Sequence, residues 1–156
     1  MDVDGFVRDY YEALRRGEPL DPYFHERPDT VKIGVFSRRL GGETVAEALR
    51  DQTARTTDWT VESRDLRTFA RDGFGHFVDD VGLAWTDARA DRRHAFDTRW
   101  TGLVEPRGDE LLFVSMHVSA SVDRERGGRA TNPDAEARRG DAGQNDPSEA
   151  ADEERT

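Results

Sequence analysis

The 156-residue chain contains no cysteine. Disulfides, thiolate nucleophiles and cysteine-ligated zinc are thereby excluded. Lysine is nearly absent as well: Lys32 is the sole lysine among 23 basic residues, set against 33 acidic ones, and the formal net charge is −10. An acidic, arginine-rich surface disfavours nucleic acid, because binding a phosphate backbone requires clustered positive charge. The same composition fits a protein kept soluble in concentrated salt, which screens self-repulsion, so a halophilic source is expected, with high genomic GC as the alternative origin of the arginine bias. No apolar run approaches the roughly 20 residues that span a bilayer. The opening Met-Asp-Val-Asp-Gly-Phe lacks the apolar stretch of a signal peptide. A soluble, cytoplasmic protein is expected.

The end of the chain lacks something else. Asp123 to Thr156 holds no aromatic, leucine, isoleucine, valine or methionine residue, and its ten acidic and six basic residues leave it at −4. Such a segment cannot bury enough surface to offset the entropy of ordering, so residues 123–156 read as a disordered tail. Residues 1–122 then form one domain with a core of its own.

Within that domain the apolar spacing changes character. Phe6, Val7, Tyr10, Tyr11 and Leu14 recur at helical intervals between Asp2 and Arg16, with Asp2 or Asp4 as the cap and Gly17 as the stop. Pro22 starts a short helical turn, Thr30 to Phe36 reads as a strand, and Val45, Ala48 and Leu49 mark a helix from Glu43 to about Thr56. After Asp58 the period is two: Trp59 to Phe69, then Phe74 to Ala88 with a bulge expected near Asp79 and Asp80. Helices first and antiparallel strands afterwards predict an α+β fold in which the helices cover one face of a curved sheet.

The richest stretch is Phe96 to Ser121, two strands joined by a hairpin at Pro106, Arg107, Gly108 and Asp109. Alternation puts Asp97, Arg99, Thr101 and Leu103 on one face of the first strand, and Phe96, Thr98, Trp100, Gly102 and Val104 on the other. On the second strand Leu111, Phe113, Ser115, His117 and Ser119 share a face opposite Leu112, Val114, Met116 and Val118. A strand apolar on both faces is covered on both, and an arginine, a histidine and serines among apolar residues point to a polar-lined pocket.

The run from Arg99 to Ser119, with Arg99, Thr101, Ser115, His117 and Ser119 as its marks, resembles the SnoaL-like branch of the nuclear-transport-factor-2-like superfamily, which also includes ketosteroid isomerases. Val7 to Glu18 resembles its first helix, and Ile33 to Phe36 adds to the resemblance. The last strand departs from the branch in having Leu111 where many members carry tryptophan. The resemblance implies a cone-shaped, curved antiparallel or mixed sheet around an N-terminal helical layer, open at one end as a pocket, and commonly a homodimer. Steroid-isomerase chemistry needs an aspartate base and a protonated aspartic acid beside a tyrosine. Tyr10 falls at the tyrosine, but Ile33 and Gly34 stand where the base would be, and Arg99 or Trp100 near the acid.

The expected ligand-binding residues are therefore Arg99, Asp97, Ser115, Trp59, Phe36, Trp85 and Phe113. An inward Arg99 would need an anionic ligand or an internal partner such as Asp97 or Asp87. The expected function is binding of a small apolar or weakly anionic molecule. Two alternatives stand beside it. One is an enzyme of isomerase, dehydratase, cyclase or hydrolase type using His117 with Tyr10 or Arg99. The other is an assembly module in which Leu112, Val114, Met116 and Val118 bury a face against a second subunit. No cofactor is expected, and His25, His76 and His94 show no metal-ligand spacing.

Overall fold

The computed structural model describes residues 1–122; the tail expected over 123–156 lies outside the described residues. Helix α1 (Val3–Arg16) begins where the Asp2 carboxylate accepts the Gly5 N–H at 2.9 Å, and ends at Gly17, whose φ of 69° is the left-handed conformation glycine adopts without strain. A single 3-10 turn, Asp21–Tyr23, follows with Pro22 inside it. Strands β1 (Val31–Ile33) and β2 (Arg38–Leu40) form a small antiparallel hairpin where one strand was expected, because Arg-Arg-Leu carries no alternation to mark β2. Helix α2 is Gly42–Arg55. Strands β3 (Thr56–Ser63), β4 (Arg67–Arg71), β5 (Phe74–Asp87), β6 (Arg92–Arg107) and β7 (Glu110–Ala120) complete the domain.

These strands make one seven-stranded sheet in the order β2-β1-β7-β6-β5-β3, with β4 also pairing β5. β1 runs parallel to β7 and every other pair is antiparallel. The sheet curves over the helical layer without closing, which is the α+β arrangement the periodicity implied.

Register decides which side chains face the helices. β5 and β6 pair without interruption from Gly75 opposite Val104 to Asp87 opposite Arg92, so the bulge expected at Asp79 and Asp80 is absent. A bulge sits instead between β6 and β7: Val104 opposes Phe113 while Leu103 opposes Ser115. The extra residue changes the phase of β7 and brings Phe113 onto the face of Met116 and Val118. All three lie in the main core with Phe77, Val81, Trp100 and Val104. Met116 and Val118 are therefore core residues of a single chain and unavailable to the assembly interface anticipated for them; Leu112 and Val114 are likewise buried within the chain.

Asp79 is 1% exposed on the inner face, and three donors satisfy it. The Tyr11 hydroxyl donates at 2.9 Å, the Ser63 hydroxyl at 2.6 Å and the Asp65 N–H at 2.9 Å. The network ties α1, β3, β5 and the β3–β4 turn at one point, and burial beside this carboxylate holds the Tyr11 phenol far above its ordinary range. Tyr11→Phe removes a hydrogen bond to a charged, buried acceptor and is expected to lower stability by about 1.5–3 kcal/mol. Urea unfolding checks this: the midpoint should fall with the slope unchanged, and an unmoved midpoint would show that the network does not anchor the helix.

Candidate functional site

The structure divides the anticipated site residues between the two faces of the sheet. On the outer face, neighbouring strands set Phe69, His76, Leu103 and Ser115 in one row, Arg67, Val78, Thr101 and His117 in the next, and Asp80, Arg99 and Ser119 in a third. Arg99, His117 and Asp97 are exposed there and Ser115 is half-buried. Asp97 is held by Arg64 at 2.7 Å, not by Arg99. An exposed guanidinium needs no buried counter-charge, so the premise that made Arg99 a pocket residue does not apply. Alternation sorted these side chains onto common faces but could not say which face the helices cover.

Tyr10 lies on the other side. It is 1% exposed, with ring contacts to Tyr23, Phe24, Trp100 and Phe113 at 5.2–6.3 Å. Burial pushes its phenol well above the usual range, and it stays protonated. His117 and Tyr10 are separated by the sheet itself and cannot form one acid–base pair. Phe113 also belongs to this sealed end, at 0% exposure.

The other anticipated wall residues, Trp59, Trp85 and Phe36, do come together on the inner face, at the opposite end of the strands. Burial falls along β5 toward that end: Phe77, Val81 and Leu83 are buried, whereas Trp85 is half-buried. A break in the β3–β5 register between Thr57 and Thr60 lets Trp59 stack on Trp85, with centroids 4.9 Å apart and planes 18° from parallel. Asp58 at this break has φ 54°, and Arg93 donates to its carbonyl. The Trp59 indole N–H donates to Thr56 Oγ1 at 2.8 Å. Trp85 also meets His94 at 5.2 Å and Phe96 at 5.6 Å, and Phe96 meets Phe36 of the β1–β2 turn at 5.7 Å. The result is a half-buried aromatic strip running from β3 to the β1–β2 hairpin. Its inner border is polar: the Trp100 indole donates to Thr98 Oγ1 at 2.9 Å, and Thr98 donates to the Val81 carbonyl at 2.7 Å.

Lys32 enters the same face from β1. Its register partner on β7 is Met116, a core residue, and its partner on β2 is Arg39. The side chain is half-buried, and among the described residues no hydrogen bond or ion pair reaches its ammonium. Desolvation first, and repulsion from Arg39 second, push its pKa down from 10.5 to about 8. Ser37 Oγ and Lys32 Nζ lie 3.0 and 3.7 Å from the point where a Gly34 Cβ would stand, so the glycine leaves room between them.

Lys32, Arg39, His94 and Phe96 are the residues that sequence reasoning did not gather. A signal existed for two of them. Lys32 is the single lysine of the chain and sits within an apolar strand; Phe96 alternates with Thr98 and Trp100, opposite the exposed Arg99.

No protein-family profile matches the chain, and no curated protein is similar to it in sequence. Solved structures do match its backbone. A nuclear transport factor 2-like superfamily protein from Salmonella enterica aligns with TM-score 0.68 at 12% identity, covering 78% of this chain and 90% of that one. A protein from Streptomyces avermitilis, described provisionally as a dehydratase from the same family, aligns with TM-score 0.69 at 13% identity over 78% of this chain and 95% of its own. One from Novosphingobium aromaticivorans, described provisionally as a scytalone dehydratase, gives 0.66 at 11% identity over 76% and 81%. The chain has the nuclear-transport-factor-2-like fold.

The Lys32 ammonium is disfavoured by folding, so its removal should stabilise the protein. The unfolded chain holds its proton up to about pH 10.5, the folded one only to about 8; below pH 8 the folded state carries the full cost, and this cost disappears as pH rises from 8 to 10.5. Lys32→Met is expected to gain about 1–3 kcal/mol at pH 7, allowing for partial solvent screening, and progressively less toward pH 10.5. Chemical unfolding across that range tests it; a variant less stable than wild type at pH 7 would contradict the assignment.

Proposed function

We propose that this is a small-molecule-binding domain of the SnoaL-like kind, with its ligand held on the inner face of the sheet by Trp59, Trp85, Phe96 and Phe36. The observation that carries the reading is the half-buried aromatic strip at the end of long strands whose other end is packed shut. Stacked and edge-on rings offer a flat apolar ligand large contact area at low entropic cost, and half-buried Lys32 offers a polar contact on the same face. That other proteins of this fold are described as dehydratases and, from Novosphingobium aromaticivorans, as an aromatic ring hydroxylase supports a ligand-holding role without assigning a reaction.

Calorimetric titration with a panel of one- and two-ring aromatic compounds tests the proposal. The account expects binding that Trp85→Ala weakens at least about tenfold, the loss of one aromatic wall. The outer-face double variant Arg99→Leu, His117→Leu should bind as wild type does. The reverse pattern, with binding sensitive to Arg99 and His117 but not to Trp85, would move the site to the outer face.

A second reading concerns assembly. Phe69 is 37% and Val78 39% exposed on the outer face, next to half-buried His76 and Leu103, and such a patch suits pairing with a second copy of the chain. Sedimentation should show a wild-type dimer that Val78→Glu dissociates. A monomeric wild type would remove this reading and leave the ligand site untouched.

A further inference from the structure

We propose that the ligand is an aromatic anion whose carboxylate, or equivalent charged group, is received by Lys32 with Arg39 and Ser37 beside it. This inference rests on the ligand-binding reading above and names the chemical class that the inner face selects.

The distribution of charge carries it. Arg8, Arg27, Arg50, Arg55, Arg64 and Arg67 each hold a carboxylate within 4.0 Å, as expected for a chain with 33 acidic residues. Among the described residues the single lysine holds none. It points to the inner face opposite Met116, next to a second cation, Arg39, and away from the acidic surface. Partly desolvating a cation beside another cation is unfavourable unless an anion arrives, and among the described residues no carboxylate pairs with Lys32. Gly34 leaves open the space next to the ammonium that any larger side chain would occupy, and the Ser37 hydroxyl borders that same space. An anion placed there would meet a primary ammonium and a hydroxyl donor.

The aromatic part follows from position. Lys32 and Phe36 are four residues apart in one hairpin, at most about 14 Å even if fully extended. Phe36 is in turn joined through Phe96 and Trp85 to Trp59. The ammonium lies beside Gly34, two residues from Phe36, so a ligand with its charged group there has the Phe36 end of the strip within reach of a one- or two-ring body. A neutral ligand of the same shape would fill the strip and leave the ammonium unpaired.

A matched pair of probes separates the two parts of the claim: 2-naphthoate and its neutral isostere 2-naphthamide, titrated calorimetrically at equal ionic strength and pH 7. Wild type is expected to bind the acid about tenfold or more tightly than the amide, the scale of one charge-assisted hydrogen bond. Lys32→Met should bring the ratio close to one by weakening the acid far more than the amide, and Lys32→Arg should retain most of the preference. Circular dichroism confirms that each variant is folded. Equal binding of acid and amide by wild type, both weakened by Trp85→Ala, would overturn the anion inference and leave the ligand site standing. A preference for the acid that survives in Lys32→Met would also overturn it. Binding of neither probe, or binding indifferent to Trp85→Ala, would overturn both.

Discussion

A strand advances about 3.3 Å per residue and a helix about 1.5 Å, and this difference governs the molecule. α1 and β5 each contain 14 residues, so the helix covers roughly 21 Å of a strand about 46 Å long. Contacts fix where the helix lies: Val3 packs at Gly75, Tyr11 reaches Asp79, and Arg15 donates to the Val61 carbonyl of β3. Beyond Leu83 the inner face passes out from under α1, and the half-buried Trp85 and Phe96 stand on what is left. The candidate site is thus a consequence of unequal element lengths, and its aromatic lining suits an incompletely covered face.

The sealed end has its own physics. Tyr10, Phe24, Phe113, Phe77 and Phe6 form an edge-on and tilted aromatic cluster, while the one buried carboxylate nearby, Asp79, has its donors supplied by tyrosine, serine and backbone. A satisfied carboxylate specifies a single docking position for the helix, because any slide would strand it in a low-dielectric interior. The inner face therefore treats charge in two ways. On β5 an acid, Asp79, is buried with its partners; on β1 a base, Lys32, is half-buried with no carboxylate partner among the described residues.

Much of the fold was legible in the sequence. The Asp2 cap, the Gly17 stop, the helical spacing from Phe6 to Leu14, and the Gly108 turn between β6 and β7 are local signals, and they placed those elements nearly to the residue. β2 escaped because three residues without alternation carry no periodic signal. The site was legible only in part: Trp59, Trp85 and Phe36 were named and do converge. Arg99, His117, Ser115 and Asp97 were sorted correctly as face-mates yet lie on the outer side. Period-two alternation tells which side chains travel together, but which group is inward depends on where the helices dock, and a single bulge at Val114 reverses the parity within β7.

The three indole N–H groups offer the most direct measurement. Trp59 and Trp85 are half-buried at the open end, whereas Trp100 is 3% exposed and bonded to Thr98. The measurement is an NMR titration of nitrogen-labelled protein with 2-naphthoate, following the indole signals and the His117 ring. If the inner face is the ligand site, the Trp59 and Trp85 signals shift together and saturably while His117 stays in place. Shifts confined to His117 and its outer-face neighbours, with both open-end indoles unmoved, would contradict the account.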